Sequence, residues 1–152
     1  MTYHRIVNGV RVDLTPQEVA ALEAEWAANA PTLGQLRLRK LDALAAKRWE
    51  KEAGGIVFNG MTVATDAVSQ TKIIGAVVGA QMDPQSTIQW KMADGSFSTL
   101  DATAVLAMAM AVRAHVQACF DNEAEIRVLI QAAGTKEELD AIDIDAGWPS
   151  NV

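Results

Sequence analysis

The sequence predicts an α+β protein, mainly helical, with two or three short β-hairpins and a long C-terminal helix. Three observations carry that reading. Asn8-Gly9 and Asn59-Gly60 each separate two short runs with strand character, and Asn-Gly is the favoured pair where both turn residues need positive φ. Thr15-Pro16-Gln17-Glu18 and Thr135-Lys136-Glu137-Glu138 are capping boxes, in which a threonine and a glutamate three residues on satisfy each other's backbone N–H groups. From Asp101 to Ala133, Val105, Ala109, Val112, Val116, Cys119 or Phe120, Ile126 and Ile130 recur at three- and four-residue steps.

Taken in order, Arg5 to Leu14 reads as a hairpin, too small to be stable unless it packs on something else. A helix opens at Thr15, with Pro16 at its first position, and runs through Val19, Leu22 and Trp26 to Asn29, where Pro31 stops it. Asn29 to Gly34 marks a boundary, giving an appendage over residues 1–30 and a main body over 31–152. The main body starts with a helix from Thr32 to Ala53, with Leu33, Leu36, Leu41 and Leu44 on one side, ended by Gly54-Gly55. Ile56-Val57-Phe58 pairs with Met61-Thr62-Val63 across Asn59-Gly60. Asp66 caps a third helix over Ala67–Gln81, in which Gly75 and Gly79 would let another backbone come close. Asp83-Pro84 breaks it. Thr87–Lys91 and Ser96–Thr99 form a further hairpin around Asp94-Gly95, and the two main-body hairpins could share one small sheet. The long helix, about 50 Å if unbroken, calls for a bend near Asp121-Asn122 or a place at a subunit interface. A short helix through Leu139 and Ile142 and the sequence Gly147-Trp148-Pro149 complete the chain.

Half of the 152 residues are apolar, so a core is available, but aromatics are only 5% and alanine is abundant, which favours close helix contacts. A net charge of −6 argues against nucleic acid as partner. Arg37, Arg39, Lys40, Lys47, Arg48 and Lys51 do gather on the second helix. With Asp42, Glu50 and Glu52 among them, they read as a solvated face rather than a phosphate-binding stripe. No uninterrupted apolar run reaches the roughly 18–20 residues of a membrane span. Cys119 is the single cysteine, so the chain can form no internal disulfide.

Candidates for chemistry are few. His4 and His115 are the only histidines and lack metal-ligand spacing. Cys119 lies one turn beyond His115, the arrangement that can generate a thiolate nucleophile, but on an apolar helix face a lone cysteine reads as core. The alternating carboxylates Asp140, Asp143 and Asp145 lack the glycine and distal glutamate of an EF-hand. Gly75-Ala76-Val77-Val78-Gly79 lacks the Lys-Ser/Thr of a phosphate loop. No catalytic, cofactor or metal site is expected. The residues suited to interaction are Trp26, Trp49, Gly75, Gly79, Trp90 and Trp148: amphipathic rings able to anchor a contact, and glycines able to admit one.

Arg48-Trp49-Glu50-Lys51-Glu52-Ala53-Gly54-Gly55-Ile56, Asn59-Gly60, Thr65-Asp66, Gln70, Trp90-Lys91, Asp94-Gly95-Ser96-Phe97, His115-Val116-Gln117-Ala118-Cys119-Phe120 and Gly147-Trp148-Pro149 together resemble an uncharacterised domain family of tailed bacteriophages, found in tail, tail-fibre and fibre-assembly proteins. The resemblance spans Leu36 to Pro149. The front segment is similar to short stretches of phage tail-associated proteins. It implies a non-enzymatic structural component of a tail, at the baseplate or fibre attachment, made in the bacterial cytoplasm. It also implies other tail or fibre proteins and further copies of this chain as partners, with a trimer favoured, and no nucleic acid, membrane or cofactor. An assembly chaperone absent from the finished particle is the alternative.

Overall fold

The computed structural model describes residues 3–152, in two compact units that divide between Leu36 and Arg37. The division falls inside a helix, just beyond the Asn29–Gly34 boundary expected from the sequence.

In the first unit, β1 (His4–Val7) and β2 (Val10–Asp13) pair antiparallel across Asn8 (φ 51°) and Gly9 (φ 80°). The helix α1 (Pro16–Asn29) follows, and the Thr15–Glu18 capping box is formed as the sequence predicts. Arg5 ion-pairs with Glu18, and the Tyr3 and Trp26 rings meet edge to face at 5.4 Å. No residue of β1, β2 or α1 is buried: Ile6, Val10 and Trp26 all stay more than half exposed.

α2 (Leu33–Ala53) leads into the second unit, where Asn59 and Gly60, both at positive φ, turn the chain between β3 (Ile56–Phe58) and β4 (Met61–Val63). Asp66 caps α3 (Ala67–Met82) by accepting the Val68 and Ser69 N–H groups. β5 (Thr87–Lys91) and β6 (Phe97–Asp101) form the third hairpin, α4 runs from Ala102 to Ala132, and α5 from Lys136 to Ala141 behind a second capping box. The two main-body hairpins do not merge into a sheet. They remain separate two-stranded ladders joined by one backbone bond, Ala93 N–H to the Thr62 carbonyl at 3.0 Å. Three-residue strands leave β3–β4 little edge to share.

α3 and α4 are the principal helix pair. Ile73, Ala80, Val105, Met108 and Val112 interlock between them, with Ile56, Val63 and Leu100 closing the core from the hairpins. Burial continues along α4 through His115, Cys119, Ile126 and Ile130, the periodic face that the sequence exposes. The helix runs without interruption through Asp121-Asn122. It is also long and apolar enough, by length and composition, to cross a bilayer, contrary to the count of uninterrupted apolar residues. Alanines raise its hydropathy over a first half whose only charge is Arg113, while Val105, Met108 and Val112 on that half belong to the core just described.

Candidate functional site

The C-terminal end of α2 poses an elementary problem: the last carbonyls of a helix have no partners within it. Here side chains from three distant segments supply them. The Lys51 carbonyl accepts from His115 Nε2 at 3.0 Å and from Asn151 Nδ2 at 2.7 Å. The Glu52 carbonyl accepts from the fully buried Thr65 hydroxyl, whose oxygen in turn accepts the Gly55 N–H at 2.9 Å. Asn151 Nδ2 also reaches the Gly55 carbonyl at 3.1 Å, and lies so close over Gly54 that any Cβ there would collide with it.

The ionic groups of the same knot centre on one cation shared by two carboxylates. Arg48 pairs with the buried Glu52, sits 3.0 Å by Nε from Glu123, and stacks its guanidinium 4.6 Å above the Phe120 ring. Gln70 Nε2 donates to Glu52 Oε1 at 3.2 Å and to the Thr65 carbonyl at 2.8 Å. The double-glycine stop, Thr65, Gln70, His115, Cys119 and Phe120, scattered through the chain, thus converge. Their pairings were not readable from the sequence, although their recurrence in one ordered string of motifs was the available signal.

This geometry sets the chemistry of the Cys119–His115 pair. Cys119 Sγ lies 3.8 Å from His115 Nε2. A carbonyl only accepts, so Nε2 carries the proton it gives to Lys51 and has no lone pair free to take the thiol's. Cys119 is fully buried, and burial first, then the Glu52 charge, pushes its thiol pKa up. A thiolate nucleophile needs the opposite environment. Among the described residues, no group of three or more His, Cys, Asp or Glu side chains could hold a metal ion.

Four of the six cations of α2 are committed to partners rather than displayed. Arg37 donates to the Ala133 carbonyl, at the C-cap of α4. Lys40 donates to the Leu139 carbonyl at 2.5 Å, in the last turn of α5. Lys47 bridges Glu50 and Asp145, which hold its pKa up, the bond to Asp145 contributing most. The solvated face expected on α2 is therefore only partial. Positive charge at helix C-termini and beside carboxylates is where the helix dipole and pairing favour it.

The surface suited to contacts runs along α3. Val68, Thr71, Gly75, Val78 and Met82 are all exposed, Met82 by 81%, and so is Ile74 beside them. Lys72 is the only charged residue of α3. Gly75 and Gly79 have open space where a Cβ would stand and line a groove with Ile88 and Leu100; a second groove, also bordered by Ile88, is lined by Lys72 and Trp90. The structure thus brings together Gly75, Gly79 and Trp90 of the six interaction candidates. Trp49 is half exposed on α2, Trp148 is tied by its Nε1–H to the Ile144 carbonyl at 2.9 Å, and Trp26 belongs to the first unit. The sequence reading missed Val68, Ile74, Val78 and Met82, although Ile74, Val78 and Met82 recur at four-residue steps that were there to be counted.

The family described as Domain of unknown function (DUF4376) matches residues 35–146, nearly the whole of the second unit. No curated protein and no solved structure matches the chain.

Proposed function

We propose, for a chain that belongs to the DUF4376 family of domains of unknown function, a non-enzymatic structural role in a bacteriophage tail, at the baseplate or the fibre attachment, through protein–protein contacts. The tail assignment rests on the ordered motifs that resemble tail and fibre proteins. The contact mode rests on one observation: large apolar side chains stay exposed along α3 and on α4, where Met110 is 73% exposed. Exposed apolar faces of this kind are what a partner covers. Its partners are other tail or fibre proteins and copies of itself, with a trimer favoured by the symmetry of tails, and the finished particle is its location.

A second reading, a fibre-assembly chaperone, is favoured by the first unit, whose apolar residues await a cover that a transient client could supply as well as a permanent neighbour. Quantitative mass spectrometry of purified particles separates the two. Peptides at a fixed ratio to a known tail protein support the structural role. Peptides present in the infected lysate and missing from particles support the chaperone, and absence from both refutes the tail assignment altogether.

A further inference from the structure

We infer that the outer face of α3 is a two-fold contact in which a second copy of this chain lies antiparallel against the same face. The inference rests on the contact role proposed above and names the partner for one surface. Val68, Thr71, Gly75, Val78 and Met82 follow one another at steps of three, four, three and four residues, all exposed. That is the seam spacing of two helices lying side by side.

The residues on the seam decide which partner and which direction. Parallel copies would set Met82 against Met82, glycine against glycine and Lys72 against Lys72, leaving a gap and a repulsion. Antiparallel copies put Val78 of each over Gly75 of the other, where open space awaits a side chain, and the long Met82 over the shorter Thr71. The same direction brings Lys72 to the C-terminal end of the neighbouring α3, where Asp83 caps the helix and the dipole is negative. Neither Lys72 nor Asp83 has an ion-pair partner among the described residues. The face is thus complementary to itself in size and in charge, as an isologous contact requires. Combined with the trimer favoured above, a two-fold contact would join two trimers back to back in a six-copy dihedral assembly.

Sedimentation equilibrium on the full chain tests this. The wild type is expected to dimerise at tens of micromolar. Gly75→Gln fits the open space in the isolated chain but blocks the seam, so the dissociation constant should rise at least tenfold while the circular dichroism spectrum and melting curve keep their form. Lys72→Glu and Asp83→Lys should each weaken the dimer severalfold, and the two together should restore it. A monomeric wild type at 100 µM, an assembly indifferent to Gly75→Gln, or charge reversals that do not rescue each other would overturn the pairing. The first unit covering α3 within the same chain belongs to the monomeric outcome. A monomer that is nonetheless found in particles would sink the pairing and leave the tail role standing; a dimer absent from particles and lysate would do the reverse.

Discussion

Replacing Thr65 by valine isolates the contribution of the hydrogen bonds that end α2. Valine matches threonine in shape and is fully at home in a site with no solvent exposure, so packing is nearly conserved. What disappears is the hydroxyl, and with it the donor to the Glu52 carbonyl and the acceptor of the Gly55 N–H. Each buried group left without a partner costs about 1–3 kcal/mol, and the added methyl returns about 0.8 kcal/mol. The net loss is therefore roughly 1–5 kcal/mol. For a domain of this size each kcal/mol moves Tm by about 4 °C, so the variant should melt roughly 4–20 °C lower. Thr65→Ser is the control: it keeps both bonds and loses one methyl, about 1 kcal/mol. Urea unfolding followed by far-ultraviolet circular dichroism measures both. Valine equal to wild type within about 0.5 kcal/mol, or serine costlier than valine, would refute the account, since packing rather than hydrogen bonding would then govern the position.

Other parts of the fold make equally direct predictions. Asp66 has its pKa lowered, first by the Ser69 hydroxyl and then by the Ser69 and Val68 N–H groups. Its stabilisation is thus present above the usual carboxylate pKa of about 4 and lost as pH falls through the lower folded value. The stability gap between wild type and Asp66→Asn should accordingly be widest near neutral pH and narrow in acid, and a gap that widens in acid would contradict the sign. Gly147 holds φ 80° and a Cβ there would sit 2.4 Å from Asn122 Oδ1. Gly147→Ala should therefore cost about 1–3 kcal/mol in urea unfolding and break the Asn122–Ala146 bond; an unchanged midpoint would exclude that packing. Cys119 should resist a thiol reagent in the native protein and react fully in denaturant, whereas fast native labelling would place it at a surface.

Local signals were legible where a residue acts on its immediate neighbours. Asn59-Gly60 dictated its own turn, Thr15 and Thr135 their caps, and the α4 periodicity its buried face. The failures share one physical cause: they concern partners distant in sequence. Arg37 looked like surface charge because nothing near it in the chain reveals that the Ala133 carbonyl lies within its reach. The merged sheet failed for the same reason, since two hairpins with ordinary strand patterns say nothing about whether their edges meet. The candidate site was half visible. Gly75 and Gly79 stood out as small residues, but the exposed Val68, Ile74, Val78 and Met82 resemble core residues until the packing of α3 shows which face is inward.

Charge placement joins these two halves of the molecule and yields a last prediction. A net charge of −6 repels a second copy, and four of the cations that could have relieved it locally, Arg37, Lys40, Lys47 and Arg48, are already paired with carbonyls or carboxylates of the same unit. α3 escapes the repulsion because Lys72 is its only charged residue. Two effects of salt then oppose each other at the proposed seam. Screening weakens the exposed Lys72–Asp83 pairs, each worth less than about 1 kcal/mol, and it also weakens the long-range repulsion between acidic copies once the Debye length falls below roughly 10 Å. The apolar seam itself is not weakened by moderate salt. Association should therefore hold steady or strengthen between 50 and 500 mM sodium chloride in sedimentation runs. A dissociation constant that climbs steeply with salt would mean that charge pairs, and not Val78 seated over Gly75, hold the two copies together.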